Sequence, residues 1–230
     1  HDVHLLHAFA MVDSSVWSLG DRGWRLGAPL GSFMEILEDA SPELVLINYL
    51  PFMALERVDH GLFELIDHIE QTLPGCRVGF VEAHVGGMHH IEVDGQAVLD
   101  SYPGLSFFHK YEAESDIDTL ISTETAGVSH GVACRSLDEL SLPDWELIDP
   151  VNYDNFLSVF TSETGRRNLY RIGPSSRPVL FSRGCPYSCS FCTSGPPNAG
   201  AGAKRYRPLS IEKARALMDR LIEHGAGHLV

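Results

Sequence analysis

Long apolar runs are missing from this sequence, and no stretch approaches the ~20 residues that a helix needs to cross a bilayer. A secretory signal pattern at the amino terminus is missing too, so the sequence gives no sign of an oxidising compartment. Basic residues are scarce, with 17 Lys and Arg against 31 Asp and Glu. The first 177 residues carry ten of these basic residues against twenty-eight acidic ones. We therefore expect a soluble protein that does not bind nucleic acid.

Cysteine is also scarce: the 230 residues include five, an odd number that disulfide pairing would leave incomplete. Three of them, Cys185, Cys189 and Cys192, have the spacing C-x3-C-x2-C, and no fourth cysteine follows. Three thiolates at this spacing can hold three corners of one iron–sulfur cube and leave one iron open. An open metal position is typical of a site that does chemistry. Cys76 and Cys134 stand alone, and we interpret both as small buried apolar residues.

A zinc site with a distant fourth ligand is an alternative for the three cysteines, and His224 and His228 are the nearest candidates for that ligand. Zinc sites usually combine two ligand pairs, such as C-x2-C with a second C-x2-C or H-x3-H. The second pair is missing here, so the spacing favours an iron–sulfur site. Zinc and ordinary buried thiols stay open as alternatives.

Regular elements are predicted on both sides of the cysteines. Residues 179–181 are apolar and rich in β-formers, which predicts a strand that leads through Gly184 into the cysteine segment. Ser210 is placed to cap a helix over 211–224, and the apolar residues after it begin another strand. A strand, a loop, a helix and a strand form the opening unit of a parallel barrel or sheet, in which such loops carry the site.

The first part of the chain alternates between apolar runs and helical patterns. The runs over 43–50, 77–81 and 105–108 are typical of strands that are buried on both faces. One helix is predicted between the first two strands, over 58–73, and a short one is predicted before the first strand, after a capping box of Ser32 and Glu35. The alternation predicts a doubly wound parallel α/β sheet. An Asp-Gly pair at 94–95, between two short apolar stretches, predicts a hairpin.

Two adjacent glycines, Gly86 and Gly87, follow the second of these strands. Without side chains, they let the polar groups of a ligand approach the backbone. The carboxyl end of a parallel strand is also where ligands bind in such folds. A tight turn without a ligand is the alternative.

An aromatic residue, Phe191, precedes the third cysteine, and residues 183–192 resemble the cluster motif of the radical S-adenosylmethionine (radical SAM) enzymes. The resemblance implies a [4Fe-4S] cluster on Cys185, Cys189 and Cys192, with S-adenosylmethionine on the open iron and its adenine against Phe191. It also implies reductive cleavage to a 5′-deoxyadenosyl radical, a small-molecule substrate and a reduced flavodoxin or ferredoxin-type electron donor. Such a cluster and free thiols fit a reducing cytoplasm.

The preceding part is similar to the cobalamin-binding domain of one radical SAM subfamily, whose members transfer methyl groups or rearrange or cyclise small molecules. The similarity rests on Gly86, Gly87 and residues 111–114, a Tyr-Glu-Ala-Glu run where the subfamily has Gly-Glu-Gly-Glu. The base-off motif D-x-H-x-x-G is absent, since residues 2–7 copy its first half but place His7 where glycine is required. The domain therefore either binds cobalamin without a protein histidine or has lost the cofactor.

We thus expect a Rossmann-like cobalamin-binding-type domain over 1–121, an irregular linker over 122–177 and the first βα unit of a radical SAM partial (β/α) barrel over 178–230. A complete barrel takes about 250 residues. We therefore expect a piece of a longer protein that does not turn over alone, and we name no catalytic residue. The alternative function is an iron–sulfur electron-transfer or binding module whose first domain no longer binds cobalamin.

Three basic residues follow the cysteines: Lys204, Arg205 and Arg207. A solvated loop is one interpretation of them. Contact with the carboxylate of S-adenosylmethionine, with a phosphate-bearing substrate or with an electron donor is the other.

Overall fold

The computed structural model describes residues 3–18, 20, 24–50, 59–82, 93–122, 124–163, 175–184, 186–187 and 206–230. In chain order, the strands are β1 Ser15–Ser18, β2 Trp24–Gly27, β3 Leu44–Tyr49, β4 Arg77–Glu82, β5 Phe107–Lys110, β6 Gly127–His130, β7 Ser176–Arg177, β8 Ser182–Arg183, β9 Arg207–Pro208 and β10 His228–Leu229. The helices are α1 Leu30–Ala40, α2 His60–Thr72, α3 Gly95–Ser101, α4 Ile117–Ser122, α5 Pro150–Glu163 and α6 Ile211–Glu223.

The chain divides into two compact units, which we name by their contents. The terminal unit combines His1–Phe33, Ser141–Leu180 and Ser210–Val230, and the sheet unit combines Met34–Leu140 with Phe181–Leu209. Each unit thus gathers segments that are distant in sequence.

Four parallel strands form the centre of the sheet unit, in the order β3-β4-β5-β6. Their core is aromatic: the rings of Tyr49 and Phe80 stack at 4.8 Å, and Tyr102 meets Phe80 edge to face at 5.2 Å. Burial raises the pKa of Tyr49 to about 12. The apolar runs of the sequence become strands because both faces of the sheet are covered, and the predicted parallel α/β architecture is confirmed.

The order of these strands advances in one direction. A doubly wound sheet has a reversal of strand order, and ligands bind at that reversal. No reversal occurs among β3 to β6, which are the strands of this sheet in the described part of the chain. The finer expectation of a doubly wound sheet therefore stays a prediction.

The hairpin that the sequence predicts at Asp94 and Gly95 is wrong. Asp94 is the N-cap of α3, and its Oδ1 accepts hydrogen bonds from the backbone N–H groups of Gln96 and Ala97 at 2.9 and 3.3 Å. An aspartate can initiate either a turn or a helix, and here its carboxylate satisfies two helical N–H groups that would otherwise lack partners. The helix then packs its buried Val98 inward.

The predicted capping box is also wrong, although its helix exists. The helix α1 begins at Leu30, two residues before Ser32, so Ser32 lies inside it. The hydroxyl of Ser32 donates to Asp13 instead of capping. The next helix matches the sequence better: Asp59 caps α2, and Ile66 and Ile69 are buried as the helical pattern predicts.

The terminal unit contains an antiparallel hairpin, β1-β2, and a parallel pair, β7-β10, with α6 between the strands of that pair in sequence. Ser210 caps α6 through a bond from the N–H of Lys213, and Gly225 follows the helix with a φ of +80°. These features confirm the predicted helix and its cap. One strand–helix–strand unit is thus described, while the barrel stays a prediction.

The strand that the sequence predicts at 179–181 is displaced. The chain forms β7 before this run and β8 after it. Pro178 has no N–H for a ladder bond. The chain also changes partners here, since β7 pairs in parallel with β10 and β8 pairs antiparallel with β9.

A helix, α5, occupies part of the stretch for which the sequence predicts an irregular linker. Asp149 accepts bonds from the N–H groups of Val151 and Asn152 at the start of this helix. On α5, Phe156 stacks on Phe9 at 4.5 Å and is buried. Within the described residues, no helix combines the length and the apolar character that crossing a membrane would require.

Candidate functional site

The residues that the sequence assigns to cofactors lie outside the described part of the chain. They are Cys185, Cys189, Cys192, Phe191, Gly86 and Gly87. What the structure describes is the frame that holds both ends of the cysteine segment, together with the carboxyl edge of the parallel sheet.

A two-stranded ladder joins the ends of the cysteine segment. The strands β8 and β9 pair antiparallel, so that Ser182 lies opposite Pro208 and Arg183 opposite Arg207. Gly184 follows β8 with a φ of +81°, a conformation that side chains disfavour. This glycine therefore turns the chain directly before Cys185, and the long segment that carries the cysteines starts and ends at the same place.

A buried ion pair fixes β9, one strand of this ladder, to the segment after β5. The guanidinium of Arg207 binds both carboxylate oxygens of Glu112, with an Nη1–Oε2 distance of 2.9 Å. The two side chains are 3% and 2% exposed. The same Nη1 donates to the backbone carbonyl of Cys134 at 2.9 Å. Since two parallel bonds fix a guanidinium in angle as well as distance, this pair sets the position of β9.

The other strand of the ladder, β8, is held by a second arginine, which lies opposite Arg207. Nη2 of Arg183 donates to Glu114 at 2.5 Å, and its Nη1 lies 3.4 Å from the carboxylate of Glu112. Two guanidinium groups thus face two carboxylates, and their charges balance at the base of the cysteine segment.

The backbone after β5 presents these carboxylates through a strained turn. Tyr111 has a φ of +68°, although a residue with a side chain pays about 1–2 kcal/mol for this conformation. Its N–H donates to the buried carboxylate of Glu82 at 2.6 Å, which ties the turn to the end of β4. Beside this turn, a Cβ on Gly131 would lie 1.9 Å from the carbonyl oxygen of Glu112, so these two backbone segments are in close contact.

Further polar groups line the carboxyl ends of β5 and β6. The ring Nδ1 of His109 lies 2.8 Å from the hydroxyl of Ser129, and Nε2 lies 3.5 Å from a carboxylate oxygen of Asp116. Burial lowers the pKa of His109, so this ring is neutral at pH 7. Lys110 donates to the carbonyl of Val93 at 2.7 Å. The edge of the sheet at which ligands bind in parallel α/β folds is therefore polar although buried.

The prediction that the isolated cysteines are small buried residues is confirmed in part. Cys76 and Cys134 are half-buried, and burial raises the pKa of both thiols; the charge of Glu112 raises that of Cys134 further. Both thiols are therefore protonated at neutral pH. In the described residues, no three His, Cys, Asp or Glu side chains come together as a metal site.

Arg207 is not part of a solvated loop. It is 3% exposed, and its guanidinium is bound to Glu112. Reaching the carboxylate of S-adenosylmethionine would require it to leave this buried partner. Lys204 and Arg205, which the sequence groups with it, lie outside the described residues.

Sequence patterns alone do not reveal the positioning role of Glu112 and of both arginines. The sequence does hold one signal: Arg183 and Arg207 flank the cysteine segment on both sides, and two glutamates stand two residues apart in the run at 111–114.

Comparison with the available descriptions of protein families finds no match for this chain, and a search of curated proteins finds none either.

Proposed function

We propose that this chain is the cluster-binding part of a radical SAM enzyme and that its sheet unit is of the cobalamin-binding type. One observation carries the proposal: a C-x3-C-x2-C segment begins and ends on a paired ladder. Both strands of that ladder carry an arginine that is bound to glutamates after β5. A site that must hold a reactive group in one place requires such a fixed base.

In this proposal, Cys185, Cys189 and Cys192 hold a [4Fe-4S] cluster, and Phe191 serves the adenine of S-adenosylmethionine. The cluster, when bound, would supply the electron for reductive cleavage of S-adenosylmethionine. A flavodoxin or ferredoxin-type donor in the cytoplasm would replace that electron. The frame of Arg207 and Glu112 positions the segment. Because the guanidinium and the carboxylate neutralise each other, this pair adds no net charge at the base of the segment. Any net charge there would come from the cluster and its ligands.

The cobalamin part of the proposal rests on the carboxyl edge of the sheet. Gly86 and Gly87 follow β4, and the element at 111–114 follows β5, the neighbouring strand. The left-handed conformation of Tyr111 adds support, because the subfamily that this element resembles has glycine at that position. Methyl transfer to a small-molecule substrate, or its rearrangement or cyclisation, is the chemistry that such a pair of cofactors would serve.

Anaerobic reconstitution with iron and sulfide tests the cluster. We expect about four iron atoms per chain. We also expect an electron paramagnetic resonance (EPR) signal after reduction that changes when S-adenosylmethionine is added. Replacing Cys185, Cys189 or Cys192 by serine abolishes the signal, whereas the matched variant Cys76→Ser, outside the motif, keeps it. A signal that ignores S-adenosylmethionine would favour a closed electron-transfer cluster, and tightly bound zinc in place of iron would refute both.

Incubation with hydroxocobalamin followed by desalting tests the sheet unit. We expect the protein to retain a corrinoid absorption spectrum and the variant Gly87→Val to lose it, because a branched side chain blocks close approach to the backbone. A colourless wild-type protein after desalting would show that this part has no cobalamin function, and the cluster proposal would stand without it.

A further inference from the structure

A partly open cavity of about 150 Å³ lies within the terminal unit. Its walls combine residues from four stretches that are distant in sequence, and they include His7, Ile148, Tyr153, Arg177 and His224. None of the residues that line the cavity belongs to the cysteine segment or to the sheet unit. The cavity is therefore separate from the site described above.

The polar side chains of the wall are held in place by contacts with one another and with their neighbours. The backbone N–H of Phe9 donates to Nδ1 of His7 at 3.3 Å, and the ring of His7 meets Tyr153 edge to face at 5.8 Å. Nη1 of Arg177 lies 2.7 Å from Oδ1 of Asp154, and its guanidinium lies over the ring of Tyr153, 5.6 Å from the centroid. A side chain that moved into the space would lose these contacts, so the cavity is preformed, as sites for small molecules usually are.

The same side chains present no net charge to a ligand at neutral pH. Burial opposes the charged form of Asp154, but the bonds from Arg177 and from the N–H of Ser175 outweigh it and lower the pKa of this carboxyl. The carboxylate therefore stays ionised and neutralises the guanidinium. Burial lowers the pKa of His7 and raises that of Tyr153, so both rings are neutral.

Most of the surface that lines the cavity is apolar. Ile148, Pro150 and Pro178 contribute aliphatic carbon. Nε1 of Trp145 is buried, so the indole of this residue exposes carbon rather than its N–H. A molecule that filled the space would restore van der Waals contacts that these walls otherwise lack. Apolar cavities of ~150 Å³ hold one benzene molecule.

We propose that this cavity binds a small, uncharged, apolar molecule of about the size of benzene. Its volume sets the size of the ligand, and the neutral, mostly apolar wall sets its chemistry. The site is independent of the cluster and of cobalamin, since its walls share no residue with either.

Benzene and pyrazine are the matched probes, because both are uncharged and flat and pyrazine carries two ring nitrogens that accept bonds from water. Proton NMR titrations of the whole chain give a dissociation constant for each. We expect saturable binding of benzene and binding of pyrazine that is at least about tenfold weaker, because an apolar wall does not replace the bonds to water that the nitrogens lose. We also expect nuclear Overhauser contacts between benzene and the methyl groups of Ile148. The absence of saturable benzene binding, or equal affinities for the two probes, would overturn the proposal.

A matched pair of tryptophan variants locates the binding. Ile148→Trp fills the cavity and is expected to weaken benzene binding at least about tenfold. Val12→Trp adds the same ring at a residue of the same unit that is 88% exposed and does not line the cavity, and it leaves the affinity unchanged. Benzene binding that survives Ile148→Trp would refute the assignment to this cavity.

The opposite change gives a test that does not depend on whether a tryptophan fits at residue 148. Ile148→Ala enlarges the cavity, so it should favour a larger apolar guest over a smaller one. We expect the ratio of ethylbenzene affinity to benzene affinity to rise about threefold or more relative to wild type. A ratio that stays the same would mean that the apolar probes bind elsewhere, and the proposal would fail.

Discussion

Glu112 and Glu114 stand two residues apart, and each binds a guanidinium, but their exposure differs. The side chain of Glu112 is 2% exposed, whereas that of Glu114 is 39% exposed. Removing one partner of a buried pair leaves the other charge in a medium that solvates it poorly. An exposed partner is replaced by water at little cost. Burial rather than the number of contacts thus decides which glutamate stabilises the fold.

The variant Glu112→Gln is expected to lower the free energy of unfolding by about 3 kcal/mol, since it leaves the charge of Arg207 buried. The matched variant Glu114→Gln is expected to change it by less than about 1 kcal/mol. Urea denaturation of both variants measures the difference. Equal effects would show that the two arginines are solvated alike.

Tyr111 offers a measure of backbone strain that does not depend on its ring. Both Tyr111→Ala and Tyr111→Gly remove the contact with His130, where the ring centroids are 5.6 Å apart. Only glycine also relieves the φ of +68°. We expect the glycine variant to be more stable than the alanine variant by about 1 kcal/mol, by thermal or urea unfolding. The reverse order would mean that the turn relaxes when the ring is removed.

The sequence predicts the environment of some residues of this region and not of others. Glu112 and Arg207 are 95 residues apart, and each has an ordinary local context, so no periodicity or motif relates them. Their pairing depends on where β9 lies, which is a property of the folded chain. The burial of Cys76 and Cys134 is easier to predict, because an isolated cysteine is usually a small half-buried side chain whatever surrounds it.

Elements with long apolar runs follow from sequence at the scale of strands and helices. The strands β3 and β4 and the helix α6 are predicted correctly because burial on both faces, or helical spacing with a cap, leaves one solution. Asp94 and the run at 179–181 are predicted wrongly because the same local signal serves two structures. Asp-Gly suits both a turn and an N-cap, and an apolar run beside Pro178 depends on which strand it meets.

Packing between β4 and β5 predicts the outcome of an alanine at Gly79. A Cβ there would lie 2.1 Å from Cζ of Phe107, whose side chain is fully buried and has no room to move. We expect Gly79→Ala to lower the free energy of unfolding by about 2–3 kcal/mol through overpacking. Gly31→Ala is the control: it lies in α1 with open space around it, and a gain of about 0.5 kcal/mol is expected. Urea unfolding that showed equal changes would refute the close approach of these strands.

For the molecule as a whole, the half-buried His7 and the buried His109 make stability depend on pH. Burial lowers the pKa of His7 in the terminal unit and of His109 in the sheet unit below the ordinary value of 6.5. The unfolded chain therefore takes up protons first as the pH falls, and protonation favours unfolding. The contribution of each histidine is complete above pH 6.5 and is lost as the pH falls through its folded pKa.

We accordingly expect the urea midpoint to fall as the pH drops below about 6.5 and the variant His109→Gln to fall less steeply over that range. Well above that pH, both proteins should respond to pH alike. Identical slopes in the variant and the wild type below it would show that His109 accepts a proton without cost in the folded state.

The organisation of the molecule into its two units is the part that sequence reveals least. A chain read in order yields contiguous segments, whereas the terminal unit joins its segments through the stacking of Phe9 on Phe156 and the pairing of β7 with β10. The local sequence around each of these residues predicts its own strand or helix and gives no sign of these contacts. Neither composition nor spacing indicates which distant segment a residue will contact.

The ladder of β8 and β9 has a consequence for how the cysteine segment can evolve. Its two ends are paired with each other, and the arginine of each strand is bound to a glutamate after β5. The place where the segment leaves and rejoins the chain is therefore set by residues outside it. Substitutions within the segment can accordingly change what it binds while β8, β9 and the sheet keep their contacts.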